Sequence, residues 1–209
     1  MKHRVRVGTL VVACIVTTSL IISTSSWGAS GLVVKDPKDG FTFALPSPWK
    51  QVPLSGGDIS YFLKEASKGN ANLEKTMTTQ VEEAIKAGIR TFAVGPIAGN
   101  FLSNVSVIVE TAKGAPSGNA FYTAAQAQLQ VALVADGFTD LKLKVVHLPL
   151  GKALQATYNL TNKNLGVTTA GLQLYILHKS HVFIVTISTH SHSLDKSLLT
   201  KVGESWRWT

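Results

Sequence analysis

The first thirty residues constrain this chain more than any other feature, because they determine which part of it folds. Three fixed positive charges lie between Met1 and Val7, and the run from Gly8 to Ile22 is uncharged and rich in Val, Leu and Ile. Small and polar residues follow from Ser23 to Ser30. This order is typical of a secretory signal peptide. We therefore expect residues 1–30 to direct export and residues 31–209 to form one mature domain.

The same segment leaves two other outcomes open. An apolar run of about fifteen residues is shorter than the roughly 20 that a membrane-spanning helix needs, which favours cleavage over an uncleaved anchor. The sequence Val11-Val12-Ala13-Cys14 loosely resembles a lipobox, in which Cys14 would be acylated. In all three outcomes the domain is expected outside the cytoplasm, either secreted, periplasmic or associated with the cell envelope.

Composition and charge set the class of the mature domain. Hydrophobic residues make up 45% of the chain and charged residues 15%, which is enough apolar surface to form a core. Three of the 20 basic residues lie in the first seven positions, and all 12 acidic residues lie beyond residue 30. The mature part therefore carries a net charge of about +5, with its lysines scattered along the sequence. This pattern argues against a nucleic-acid surface and leaves an acidic partner or an anionic membrane surface open.

Hydrophobic periodicity predicts an alternation of strands and helices. Strands are predicted over Leu32–Lys35, Phe41–Leu45, Ile59–Lys64, Phe92–Val94, Val105–Thr111, Leu141–Val145, Ala153–Leu160, Leu172–Leu177 and Val182–Ile187. Apolar residues at every fourth position predict helices over Leu73–Ile85, Phe121–Asp136 and Leu194–Trp206. The predicted class is α+β, an antiparallel β-sheet covered by two or three helices.

Two details of the predicted sheet concern its centre and its breaks. Leu172–Leu177 and Val182–Ile187 are apolar on both faces, so we expect them to be central strands joined by a tight hairpin. The pairs Gly95-Pro96 and Gly99-Asn100 predict breaks after the strand over Phe92–Val94.

The opening of the mature domain carries a family resemblance. Phe41-Thr42-Phe43-Ala44-Leu45-Pro46 is followed shortly by Trp49, and a central helix, an antiparallel sheet and a terminal helix come after it. This order resembles the PsbP-like superfamily, which includes the extrinsic photosystem subunit, Ran-binding Mog proteins and exported LpqN-like lipoproteins. The resemblance implies a sheet covered by helices and a binding or accessory role. The export signal argues against the Ran branch, because Ran is cytosolic and nuclear.

The sequence carries no recognisable catalytic motif. It contains no Gly-x-Ser-x-Gly elbow and no His-Glu-x-x-His helix, and Cys14 is its only cysteine. The glycines from Gly95 to Gly99 have no lysine at the position that a phosphate-binding loop needs. We therefore predict no catalytic residue, no cofactor and a non-catalytic role on a protein or cell-envelope partner. A structural assembly subunit, which would be a defined oligomer, is a further class.

Histidines supply the alternative function. His190, His192 and Asp195 are close in sequence, and residues two apart on an extended segment face the same way. Neutral imidazoles suit zinc or copper, so these three residues could hold a metal in an enzyme or a small-molecule binder. The opposing interpretation is that they are exposed residues at the start of the last helix. His178 and His181 flank an earlier turn and are expected at the other end of the strand, too far away to join them.

Tryptophans are the other candidates for function. Trp49, Trp206 and Trp208 could together form an aromatic surface for a partner. Trp206 also continues the stripe of the predicted last helix, which favours core packing and a docked C-terminus instead. Both interpretations follow from the sequence.

Overall fold

Strands dominate the part of the chain that the structure describes. The computed structural model describes residues 31–54, 64, 85, 86, 88–98, 101–162, 167–190 and 196–209. Its elements in chain order are β1 (Leu32–Asp36), β2 (Phe41–Leu45), β3 (Lys50–Val52), β4 (Ile89–Ala98), β5 (Phe101–Thr111), α1 (Gly118–Ala135), β6 (Thr139–Leu148), β7 (Gly151–Asn162), β8 (Val167–His178), β9 (His181–His190), α2 (Lys196–Ser205) and β10 (Arg207–Trp208).

Two predicted elements lie largely outside the described residues. The strand over Ile59–Lys64 meets them only at Lys64, which is helical, so the predicted strand does not extend to that residue. The helix over Leu73–Ile85 meets them at Ile85, which is helical. Gly88 has a φ of 83° and donates its N–H to the Ile85 carbonyl at 3.0 Å, as expected for the residue after a helix end.

A seven-stranded antiparallel sheet organises the domain. Its strand order is β3-β4-β5-β9-β8-β7-β6, so β8 and β9 are internal, as predicted from their apolar faces. His178 pairs with His181 across a two-residue turn in which Lys179 has a φ of 54°. The tight hairpin is therefore confirmed. Apolar residues on both faces of these strands are required because packed layers cover both sides of the sheet.

A second, three-stranded sheet covers one face. Its order is β1-β2-β10, and together with α2 it buries Phe41, Phe43 and Trp206 against the large sheet. The expectation of a single sheet was therefore wrong, although the α+β class stands in coarser form as mostly antiparallel sheet with two described helices. Sequence patterning missed the division because β2 pairs with β1 on one side and with the C-terminal β10 on the other, and β10 is a strand of two residues that has no periodicity.

The helix α1 covers part of the opposite face, along β6 and β7. Leu129 and Leu133 of its predicted apolar stripe are buried, and Tyr122 is buried with them while Phe121 is half-buried. The Tyr122 hydroxyl donates to the Lys152 carbonyl at 2.6 Å, which ties the first turn of α1 to β7. No helix in the described ranges is long and apolar enough to cross a membrane.

Two local predictions need correction. The strand β4 continues through Gly95-Pro96 to Ala98, with a register shift between Val94 and Ile97 where a break was predicted.

The second correction concerns β6. Val145 was predicted to face the core with Leu141 and Leu143, but 41% of it is exposed. Val146, on the other face of β6, packs against the core beneath the small sheet instead. The buried face therefore changes along β6, because different layers cover its two halves.

Candidate interaction surface at the hairpin end of the sheet

The structure places two of the three predicted surface tryptophans in the core. Trp49 is 7% exposed and Trp206 is 1% exposed, so neither ring is available to a partner. Trp49 packs across Gly95, where an added Cβ would lie 2.5 Å from its ring. Trp208 alone keeps a partly exposed ring. The predicted surface of three tryptophans is thus corrected to one residue, because packing between the two sheets takes the other two.

The predicted metal site falls largely outside the described residues. His190 ends β9, where its backbone pairs with Thr169, and its side chain is not described; His192 and Asp195 lie outside the described ranges. His181 begins the same ten-residue strand, about 30 Å away at 3.3 Å per residue. The site therefore stays a prediction, which stoichiometric metal in the purified protein would support. Among the residues that are described, no three metal-ligating side chains come together.

Three chain segments meet at the end of the sheet where β8 turns into β9. The Ala112 N–H donates to the Ser180 carbonyl at 2.7 Å, which brings the segment after β5 beside the hairpin turn. The strand β10 joins them because the Trp208 ring stacks on the His178 ring of the hairpin, while the backbone of Trp208 pairs with Phe41 and the Thr209 N–H donates to the Gly40 carbonyl at 2.9 Å. We call the resulting surface the basic tip; its residues are Lys113, His178, Lys179, His181, Arg207 and Trp208.

A stacked pair of rings forms the centre of the basic tip. The Trp208 indole lies on the His178 imidazole with ring centroids 3.9 Å apart and planes inclined by 13°. Phe183 meets Trp208 at 4.9 Å and 63° from the core side. Because Trp208 is held on one side and partly exposed on the other, it presents a fixed aromatic surface. Arg207, which follows α2, is exposed and donates from Nη1 to the Glu204 carbonyl at 2.7 Å.

Two acidic residues near the basic tip, Asp36 and Asp39, are engaged within the fold, and a third, Glu110, is half-buried on β5, where its backbone pairs with Val182. One Asp36 carboxylate oxygen accepts the N–H groups of Lys38 and Asp39 at 3.1 and 3.0 Å, which shapes the turn between β1 and β2. The Asp39 carboxylate lies 3.4 Å from Nε of Arg90. The exposed charges at this end are therefore the cations Lys113 and Lys179, beside the half-buried Glu110.

The electrostatic environment of the tip acts on His178. Burial, followed by the neighbouring charges of Lys179 and His181, lowers the pKa of His178 below its ordinary value. Each of these causes disfavours the protonated ring. The charges of Lys179 and His181 thus add to the effect of burial on this ring.

We expect this shift to make folding stability depend on pH. Since the pKa of His178 is lowered in the folded state, the unfolded chain takes up the proton first as the pH falls. The contribution is fully present above the ordinary histidine pKa of about 6.5 and is lost as the pH falls from there through the folded-state value. Urea unfolding at several pH values should show a steeper acid loss for the natural chain than for His178→Gln. Equal slopes for the two proteins would contradict this prediction.

The basic tip was not predicted from the sequence. Lys113, Lys179 and Arg207 lie far apart along the chain and belong to no motif. The one sequence feature that indicated part of this surface was the short turn between two apolar strands, which placed His178 and His181 together at one end of the sheet. Nothing local indicated that the segment after β5 and the C-terminus would join it.

Comparison with known proteins shows resemblance in structure only. No protein-family model and no curated protein sequence matches the chain. The structure is similar to that of a cyanobacterial PsbP, CyanoP from Synechocystis sp. PCC 6803, with 18% identity and a TM-score of 0.49 over 90% of this chain and 99% of that chain. It is also similar to LpqN from Mycobacterium tuberculosis, involved in cell envelope biogenesis, with 13% identity and a TM-score of 0.48 over 86% of this chain and 91% of that chain. At these identities the likeness concerns the fold alone.

Proposed function

We propose that the mature domain is an exported, non-catalytic accessory module that binds an acidic protein partner through the basic tip. The observation that carries the proposal is the grouping of exposed cations around the ordered ring of Trp208, where the nearby acids Asp36 and Asp39 are engaged within the fold. Tryptophan and arginine are the side chains that most often dominate interface energies, and clustered charge of one sign accelerates encounter with the opposite sign.

A protein fits the basic tip better than a membrane surface does. A basic residue near an anionic bilayer contributes about 1 kcal/mol, so Lys113, Lys179 and Arg207 together would give about 3 kcal/mol, weaker than a millimolar affinity. A protein surface adds shape complementarity around the ring to the same charge attraction.

The direction of the N-terminus supports this choice. In the small sheet, Leu32 pairs with Leu45, and Asp36 pairs with Phe41, the residue that also pairs with Trp208. The N-terminal junction at Gly31 and the basic tip are therefore at opposite ends of β1, about 17 Å apart for a five-residue strand. A chain tethered through residues 1–30 would direct the tip away from its membrane.

Charge reversal at the tip should abolish partner capture. A photoreactive phenylalanine analogue at exposed Ser180, placed in the full chain in its native cells, should form a discrete protein adduct on illumination. The double change Lys113→Glu and Lys179→Glu is expected to reduce that adduct about tenfold or more, since like charges at a rim oppose encounter and docking. Mass spectrometry identifies the adduct and its yield.

The matched control is Lys142→Glu with Lys144→Glu, which makes the same change of charge on the exposed edge strand β6. We expect this variant to keep the adduct. Equal loss in both double variants would mean that only the overall charge matters and would refute a specific tip. A lipid adduct in place of a protein adduct would refute the protein partner.

A further inference from the structure

Two histidines lie opposite each other across the turn at the basic tip. His178 and His181 are directly paired residues of β8 and β9, so their Cβ atoms are about 5 Å apart on one face of the sheet. That face is the one beneath the small sheet, because Ile176 and Phe183, each two residues away along its strand, lie in the core there. His178 is half-buried against the Trp208 ring, and His181 is exposed. The tip therefore carries two side chains of the type that gains a proton between about pH 5 and 8.

Cations surround the two rings on three segments. Lys179 lies in the turn, Lys113 follows β5, and Arg207 precedes Trp208 in β10. Burial, and then the charges of Lys179 and His181, lower the pKa of His178. An anion that docks among these cations opposes the effect of their charge, so its binding favours the protonated rings.

The carboxylates of the chain leave this position open to a partner. Four of them belong to the segments next to the two rings: Glu110 of β5, Asp36 and Asp39 of the turn between β1 and β2, and the carboxylate at Thr209. Glu110 lies on the opposite face of the sheet, because its neighbour Val109 packs against the core beneath the small sheet. Among the described residues, no carboxylate forms an ion pair with His178 or His181.

We infer that His178 and His181 make partner binding at the basic tip depend on pH, with tighter binding as the pH falls. The inference rests on the proposed function, because it takes carboxylates of the acidic partner to be the anions that meet the two rings. Each protonated ring attracts a carboxylate, and each bound carboxylate favours the protonated ring, so the coupling is reciprocal. The added affinity is present at low pH and is lost as the pH rises through the pKa of the rings in the complex. An exposed ion pair changes affinity about threefold, so the two histidines together are expected to give about tenfold.

The photoadduct at Ser180, measured at two pH values, tests the inference. Envelopes of the native cells that carry the full chain are illuminated at about pH 5.5 and about pH 7.5, and a dilution series at each pH gives the apparent affinity. We expect the natural chain to bind about tenfold more tightly at the lower pH. The double variant His178→Gln and His181→Gln should keep its adduct at the higher pH and lose the increase, because glutamine does not titrate. The matched control is His147→Gln on the edge strand β6, an exposed histidine outside the tip, which should keep the increase.

The outcomes separate the two claims. Equal affinity at both pH values, or an increase that persists in the double variant, would overturn the pH dependence and leave the proposed function in place. An increase lost equally in His147→Gln would also overturn the assignment to the tip. Absence of a protein adduct at both pH values would overturn the proposed function and this inference with it.

The stacked pair provides a second measurement that needs no partner. A protonated imidazole in contact with an indole quenches its fluorescence, so the emission of Trp208 reports the charge on His178. The difference between the natural chain and Trp208→Phe isolates this emission from that of the other tryptophans. We expect it to fall between about pH 7.5 and pH 4.5 and to stay constant in His178→Gln. Constant emission in the natural chain would show that His178 gains no proton in this range and would overturn its part in the inference.

Discussion

Replacing Gly171 by alanine is expected to cost about 3 kcal/mol of folding stability, although the change adds one methyl group. Gly171 of β8 lies directly opposite Tyr158 of β7, and an added Cβ would overlap the Tyr158 ring. That ring is 4% exposed and meets Phe138 edge-on at 4.5 Å and 87°. Because the ring is confined from the other side, the clash displaces packed side chains beneath α1.

A double-mutant cycle separates this clash from the ordinary cost of changing a strand residue. Tyr158→Ala is expected to be destabilising by about 3–5 kcal/mol on its own. In the Tyr158→Ala background, Gly171→Ala should be neutral or slightly stabilising, because the ring is gone and alanine loses less backbone entropy than glycine. Urea unfolding measures all four free energies. Additive losses would show that Tyr158 is not the source of the clash.

Trp206→Ala is expected to have the second large effect, a loss of about 4 kcal/mol. The Trp206 ring is 1% exposed and stacks on Phe41 at 4.7 Å and on Phe43 at 5.3 Å. It lies between α2 and β10, and it also meets Phe183 of the large sheet edge-on at 6.3 Å. Its removal leaves a cavity where helix and both sheets meet, so the docking of the small sheet should weaken as well.

Two variants make this prediction specific. Trp208→Ala removes a partly exposed ring and should lower the folding stability clearly less than Trp206→Ala, because it removes less buried apolar surface. Trp206→Phe should also be mild, because Nε1 of Trp206 has no hydrogen-bond partner among the described residues and phenylalanine keeps most of the stacking. Thermal and urea unfolding of the three proteins provide the comparison. A Trp206→Ala protein as stable as Trp208→Ala would contradict the assigned position of the ring.

Predictions from local pattern succeeded where one packed layer determines which residues are buried. The stripe of Leu198, Val202 and Trp206 is buried as predicted, because an amphipathic helix needs only one apolar partner surface. At Val145 the same reasoning failed. Alternation assumes that one face of a strand is covered along its full length, and β6 is covered on one face by α1 and on the other by the small-sheet core.

The candidate surface shows the same limit. His178 and His181 were correctly placed together, because a two-residue turn between apolar strands is a local feature. Lys113 came beside them through a hydrogen bond between Ala112 and Ser180, and the C-terminal strand through the stacking of Trp208 on His178. Contacts between such distant residues leave no periodic trace in the sequence.

The sequence by itself determined the order and period of most described elements and the central position of β8 and β9, and it predicts the export leader. These properties depend on charge and on which side chains alternate between apolar and polar over a few residues, and both can be counted along the chain. Only the tertiary structure decided that β1, β2 and β10 form a separate sheet, that Gly171 must lack a side chain, and that the basic tip exists. Those outcomes depend on which distant strands pair through hydrogen bonds and on which distant side chains pack against one another. Short-range periodicity encodes neither.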